Sequence, residues 1–461
     1  MRRDCTVTEA AQPSRGGRVI VVRSIFSPLS LAVFLFVPVL ALYVVSSATV
    51  FDVEFDSRKA LSPSGLAYFG LALLLFAAGA KAGDDAIRFR RRRGLDRDTE
   101  LEPTPAQRRS LTVLLEAALV VSVGAYALWF GLGIVRAGGV LELVQIWRSD
   151  PQRVKSGLLL TLPGITTLTQ LAVAAIPLAI AFGLARRGSA IRVLVAIVLV
   201  LVVIRTLLFS ERLALLELLL PVLFLFLAPR RVTVSRAAIY AGVFLATAMT
   251  LFAATELRRT YVYTNDFSVT TSATRFFGYY LTSVNNGMAV IDEYPARTPF
   301  YSTGEFLWQF PGVRDLRVEQ FPYLDTVSLR YVDAFGIDPP SFWREAFLAQ
   351  RLDLEFSVFT APGYLAADFG WAGLIAVFAI GLVSGRLYRA SETSPFHRAL
   401  YAVWLVGLFE FMRILYFTNT RVFPAYLVFL AAAAVLRRPG LSARTAEVLR
   451  EPTPGVRAQS P

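Results

Sequence analysis

The sequence predicts an all-α polytopic membrane protein with about ten transmembrane helices and one large extracytoplasmic loop. Three observations predict it. Of the 461 residues, 55% are hydrophobic and 18% are charged, whereas a soluble chain carries about 25% charged residues. The apolar residues gather in runs of the length that crosses a roughly 30 Å hydrocarbon core as a helix. Arginines cluster in alternate connections between those runs, as the positive-inside rule expects of a multi-pass protein.

The elements follow in order. Residues 1–25 form a basic leader carrying Arg2, Arg3, Arg15, Arg18 and Arg23. The apolar run after it is too long for a signal-peptide core and is expected to be the first span. Spans are expected near 26–48, 61–80, 111–135, 157–182, 190–209, 213–228 and 235–254, which make up a helical region over 26–254. An extracytoplasmic loop domain follows over 255–361. Three more spans, near 362–385, 399–417 and 421–436, complete the bundle within 362–436, and a Pro/Arg-rich cytoplasmic tail covers 437–461. With ten spans, the basic clusters (the leader, Lys81 to Arg93, Arg186 and Arg187, Arg230 to Arg236, Arg386 to Arg398, Arg437 to Arg444) all fall on one side. Both termini are then expected in the cytoplasm of a bacterial inner membrane.

Composition excludes several function classes. The net charge of +13 does not indicate nucleic acid, because the basic residues lie between apolar runs, where topology accounts for them. One cysteine, Cys5, and one histidine, His397, allow no disulfide within the chain and no Cys/His metal cluster. No cofactor is expected, and no nucleotide loop of the G-x-x-x-x-G-K type occurs.

The long loop is the outlier. Connections between helices are usually short, and about a hundred residues outside the membrane need a reason. Residues 271–293 carry Phe276, Tyr280, Val284, Met288 and Ile291 at helical spacing up to Pro295, the pattern of an amphipathic helix lying in the interface. The remainder is rich in Trp, Tyr and Phe, which suit a sugar platform and equally suit an interfacial belt.

Ionisable residues within or at the ends of spans are costly and are the candidate functional groups. Arg205, Glu211 and Arg212 flank the turn between the fifth and sixth spans, with Ser210 as a candidate N-cap. Two guanidiniums near a helix N-terminus suit a diphosphate. Glu256, Arg258 and Arg259, followed by Tyr261 and Tyr263, close the seventh span. Glu410 and Arg413, three apart in the ninth span, are expected to share a helix face, with Tyr416, Asn419 and Arg421 at the mouth. Asp368 sits just inside the apolar start of the eighth span, thirteen residues after Glu355, with Gly370 and Gly373 allowing close packing. Each group has a bland alternative: snorkelling anchors for the arginines, an ion pair within the bundle for Glu410 and Arg413, and backbone orientation for Asp368.

The stretch Ser357-Val-Phe-Thr360, then Asp368-Phe-Gly370 and Gly373, then a span reaching Gly385, resembles bacterial oligosaccharide repeat-unit polymerases of the O-antigen polymerase type. The Arg212 turn, the Arg258 region and the outer loop are similar to that family too, and the likeness covers roughly residues 200–430. Where these polymerases often carry Asn before the Val-Tyr-Thr-like stretch, this chain has Ser357, with Glu355 two residues earlier. The related ligases usually carry an outer-loop His, and His397 falls in a cytoplasmic loop, which disfavours a ligase. The resemblance implies a metal-independent glycosyltransferase acting on polyprenyl-diphosphate-linked oligosaccharide among membrane lipid. A flippase and a chain-length regulator are the partner proteins it implies. Arg212, Arg258 and Arg413 would stabilise the leaving diphosphate, with Glu355 or Asp368 as acceptor base. Arg205, Arg259, Tyr261, Tyr263, Asn419 and Arg421 would bind substrate. Two alternatives remain: a glycosyltransferase using polyprenyl-phosphate sugars, for which Asp52, Glu54 and Asp56 form a candidate acidic set, and a lipid-linked oligosaccharide flippase. The flippase would call for repeat halves and broken helices, and Pro163, Pro177 and Pro221 do not pair into halves.

Overall fold

The computed structural model describes residues 19–93, 103–150, 154, 158, 164–209, 212–233, eight isolated positions between 235 and 250, 269–305, 336–337, 339–352 and 358–437. Among the described residues the regular structure is helical, apart from a short antiparallel ribbon of β1 (Val19–Val21) and β2 (Arg231–Thr233) that pairs Ile20 with Val232. The main helices are α1 (Pro28–Val45), α2 (Ala48–Phe55), α3 (Pro63–Arg92), α4 (Pro105–Ala137), α5 (Val140–Ser149), α6 (Ile165–Ala181), α7 (Ser189–Phe209) and α8 (Arg212–Leu227). After the ribbon come α9 (Val269–Glu293), α10 (Pro339–Gln350), α11 (Ala361–Phe369), α12 (Gly373–Ala390), α13 (Pro395–Phe409) and α14 (Phe423–Arg437).

Among the described residues, five helices are long and apolar enough to cross a membrane: α1, α3, α4, α7 and the α11–α12 pair. α6, most of α8, and α14 are shorter apolar helices. Local chemistry sets many of their starts. Pro occupies the first turn of α1, α3, α4, α11 and α13, where its missing N–H costs nothing. Thr104 and Gln107 close a capping box on α4. Lys59, its charge disfavoured by partial burial so that its pKa is lowered, caps the end of α1 by donating to the carbonyls of Val44 (3.0 Å) and Ser46.

The core forms where α6, α8 and α13 pack together. Ala172 to Ala179 of α6 are all buried, as are Tyr401, Ala402, Val403 and Leu405 to Leu408 of α13. A second contact joins α3 to α12. Gly79 and Gly83 press against the carbonyls of Phe378 and Leu382, and Gly381 and Gly385 against those of Phe76 and Ala80. Lipid tails offer no hydrophobic drive between helices, so backbone approach at small residues supplies the dispersion contact instead.

Basic residues assemble at one end of this bundle. Glu392, in the turn between α12 and α13, receives Arg23 (2.9 Å), Arg91 (3.2 Å) and Arg389 (2.6 Å), and Arg88 pairs with Asp84 (2.6 Å). The β1–β2 ribbon brings the segment after α8 to the segment that carries Arg23. The other end lies beyond α12, whose 18 residues span about 27 Å.

Three expectations are corrected. The ninth span, 399–417, is not one helix. α13 stops at Phe409, and residues 410–413 form a turn before a single 3₁₀ turn at Tyr416–Thr418. The Phe411 carbonyl freed by that turn accepts from the Ala361 N–H at the start of α11 (2.9 Å), so the break leaves neither group unpaired. Glu410 and Arg413 therefore sit past the helix end and not on its face. The eighth span breaks at Gly370, whose φ of +58° suits glycine, which places Asp368 at the end of a short helix and not at the start of a long one. Finally, the helix expected to lie in the interface is buried over its central turns. Every residue of α9 from Leu281 to Ile291 is buried, and α9 crosses α11 where Gly287 meets Gly363. The polar side of that helix serves the interior: Asn285 accepts from Tyr43 (2.9 Å) and the Ala60 N–H (2.7 Å) and donates to the Arg58 carbonyl (2.9 Å).

Candidate functional site

The helix ends opposite the basic cluster bring together an ionic network that the bare sequence does not suggest. Its centre is Glu217, 1% exposed, five residues into α8 and so about 7.5 Å from the start of that helix. One carboxylate oxygen accepts from Arg421 Nε (2.9 Å) and from the Tyr416 hydroxyl (3.1 Å), and the other accepts from Arg421 Nη2 (3.0 Å). This is the forked arginine–carboxylate geometry, stronger and more directional than a single contact. Gln170, oriented to satisfy both neighbours, donates to Glu217 (3.3 Å) and accepts from Arg205 Nη1 (3.0 Å). Arg205, buried, also meets Thr169 Oγ1 (3.3 Å) and lies over the Trp129 ring (5.3 Å). Arg205, Gln170, Glu217 and Arg421 thus run as a single chain from α7 through α6 and α8 to the segment before α14.

Beside this chain lies the second pair. Arg413 Nη1 bonds Glu410 at 2.7 Å, the carboxylate being 2% exposed and the guanidinium 24%. The cation lies 5.4 Å from the centre of the Tyr279 ring, and its Nε meets no hydrogen-bond partner. Glu410 is within electrostatic reach of Glu217 and Arg421, so both pairs belong to one field. In each pair the carboxylate is fully buried and the arginine, 24% exposed in both, stands in front of it. Buried charge in an apolar bundle persists only when compensated in this manner.

The loop after α9 closes over the same end. Asp368 accepts from the N–H groups of Ser302 (3.2 Å) and Thr303 (2.7 Å) and from the Thr303 hydroxyl (2.9 Å). Thr418 donates to the Ser302 carbonyl (2.9 Å), and Asn419 Nδ2 donates to both oxygens of Glu305 (3.1 and 3.2 Å). Ala296 and Thr298 bond the carbonyls of Ala366 and Ala367. Asp368 therefore orients backbone, the bland alternative for this residue, and its oxygens are already occupied. Replacing it by alanine is expected to strand these donors and to cost about 3 kcal/mol. Thermal unfolding in detergent would read the loss, together with faster proteolysis between residues 296 and 305. Asparagine, which keeps one acceptor oxygen, is expected to fall between alanine and the wild type.

Of the sequence candidates, Arg205, Arg413, Asn419 and Arg421 gather here, and Asp368 borders them. For Arg212 the structure describes only the backbone, at the first position of α8. Arg258, Arg259, Tyr261, Tyr263 and Glu355 lie outside the described residues. Asp52 and Glu54 are exposed on α2, and Asp56 is exposed at its left-handed cap. Among the described residues, no three His, Cys, Asp or Glu side chains gather as metal ligands. Glu217, Gln170 and Glu305 escaped the sequence reading. For Glu217 a signal was present: a lone carboxylate in the apolar run Leu213–Leu227. Glu305 carried none, because its place depends on how the loop folds back.

Fold and site together define a helical membrane-protein architecture with paired arginines at one end of the bundle. Comparison with protein-family models, curated proteins and solved structures finds no match to this chain.

Proposed function

We propose that the protein polymerises polyprenyl-diphosphate-linked oligosaccharide repeat units into a surface polysaccharide, as a metal-independent glycosyltransferase of a bacterial cytoplasmic membrane. In this reading ten spans place both termini and the Glu392 cluster in the cytoplasm and the arginine pairs outside, beneath the long loop. A flippase would supply the lipid-linked units, and a chain-length regulator would act beside the enzyme. The carrying observation is the pair of largely buried but still accessible guanidiniums, Arg413 and Arg421, each backed by a buried carboxylate at the end away from the basic cluster. Departure of a polyprenyl diphosphate concentrates negative charge on the leaving oxygen, and prepositioned guanidiniums in a poorly solvated site stabilise that charge.

The test compares surface glycan length in a strain lacking the protein and in strains complemented with variants. Loss of the protein is expected to leave single repeat units. Arg413→Lys keeps the charge opposite Glu410 but loses the planar donor fork. It is expected to lower polymer yield at least tenfold at unchanged protein abundance. Normal chain length with lost export would make the protein a flippase. A single missing sugar in each repeat would make it a glycosyltransferase using polyprenyl-phosphate sugars.

A further inference from the structure

We propose that Arg398 and Arg23 hold the phosphate of an anionic membrane phospholipid where the N-terminal segment meets the turn between α12 and α13, an assignment independent of the polymerase reading. Charge balance at the basic end of the bundle carries it. Glu392 is taken by Arg23, Arg91 and Arg389. Asp84 pairs with Arg88 and faces Arg389 Nε at 3.6 Å, and Asp85 pairs with Lys81. Among the described residues, no carboxylate stands at ion-pair distance from Arg398.

Arg398 is nevertheless partly buried. Its Nε and Nη2 donate to the carbonyls of Ser391 (3.2 Å) and Glu392 (3.3 Å), which fix the guanidinium against the turn without neutralising it. Its charge is opposed from two sides. Arg23 lies within electrostatic reach, and Arg398 stands in the first turn of α13, where the helix dipole repels a cation. Arg23 is held as firmly. It bonds the Glu392 carboxylate (2.9 Å) and the Tyr388 carbonyl, and it lies 4.2 Å from the centre of the Tyr388 ring. Its Nε is buried without a hydrogen-bond partner. The two guanidiniums thus meet at one residue, Arg23 on the carboxylate of Glu392 and Arg398 on its carbonyl. A partly buried cation without a counter-ion is costly. Two prepositioned guanidiniums match a phosphate group, which accepts from several donors at once.

The surroundings favour a lipid as the source of that phosphate. These arginines lie at the ends of membrane-crossing helices, the depth at which basic clusters meet anionic headgroups. An aliphatic column follows Arg23 along α1: Leu29, Val33 and Val37, four residues apart and all exposed. An acyl chain attached to the bound phosphate has this surface to lie on.

The full chain in detergent tests this, with Tm followed as phosphatidylglycerol, phosphatidylcholine or inorganic phosphate is added. Phosphatidylglycerol alone is expected to raise Tm, as a ligand of the folded state does. Arg398→Gln keeps a donor for the turn and removes the charge. It is expected to weaken the apparent affinity for phosphatidylglycerol about tenfold or more, the worth of one charge-assisted contact. Arg386→Gln, at an exposed position of α12 outside the cluster, should leave that affinity unchanged. An affinity unmoved in Arg398→Gln overturns the proposal, because Arg398 then only caps the end of α12. Equal losses in both variants overturn it too, since the lipid then meets a diffuse basic surface. Inorganic phosphate raising Tm as far as phosphatidylglycerol does overturns the lipid as ligand. Should Arg398→Gln fail to accumulate, the wild type decides alone, and equal responses to phosphatidylglycerol and phosphatidylcholine overturn the proposal.

Discussion

Glu217→Ala is expected to be the most damaging single change in the site, lowering stability by about 3–5 kcal/mol. The residue is 1% exposed and receives two nitrogens of Arg421 and the Tyr416 hydroxyl, and Gln170 joins it to Arg205. Its removal takes away the buried carboxylate that receives the Arg421 guanidinium and the Tyr416 hydroxyl, beside a cluster rich in guanidiniums. Proteins hold only about 5–15 kcal/mol in reserve, so the variant is expected at low abundance in the membrane and with a markedly lower Tm in detergent. Glu217→Gln keeps the shape and part of the bonding, and its loss should be smaller. The double variant Glu217→Leu with Arg421→Leu should recover much of the single-variant loss, because removing both charges also removes their desolvation cost. A cycle built from the two leucine singles and the double isolates the coupling. If Glu217→Ala unfolds at the wild-type temperature, the pair does not hold the site together.

The same residues show how much of the molecule was legible in the sequence. Eight of the ten apolar segments reappear as apolar helices, because length and hydropathy are local properties that tertiary contacts do not have to create. The two breaks were not legible. Nothing local in Phe409 to Arg413 stops a helix; the interruption is accommodated because the Ala361 N–H, far earlier in the chain, donates to the Phe411 carbonyl that the turn releases. α9 failed for a related reason. Its apolar spacing is that of an interfacial helix, and only the folded partners Tyr43, Arg58 and Ala60 give Asn285 a reason to be buried. At the site, Arg205 and Arg413, flagged by their cost in an apolar setting, lie at the same end of the bundle as Arg421. The role given to Asp368 needed the loop, and so did Glu305.

Gly385→Leu is the second large effect, and it tests the bundle away from the site. A side chain at Gly385 has nowhere to go. Its first carbon alone would lie 2.8 Å from the carbonyl carbon and 3.0 Å from the Cα of Ala80, inside contact distance with backbone that cannot rotate aside. Leucine must therefore drive α3 and α12 apart. The cost exceeds the usual 1–3 kcal/mol of overpacking, because the neighbouring approaches at Gly79, Gly83 and Gly381 open with it. The consequence reaches the site, since α12 begins three residues after Gly370 and Asp368 lies on the short helix before it. Loop anchoring should loosen together with Tm. Gly70 on α3 supplies the control. A carbon added there meets nothing within 4 Å, so Gly70→Ala should gain up to about 1 kcal/mol from helix propensity. Gly385→Ala should lose stability instead. One substitution type with opposite signs on two facing helices separates backbone contact from any general intolerance of the bundle to change. Equal effects at both positions would mean that α3 and α12 do not meet through their glycines.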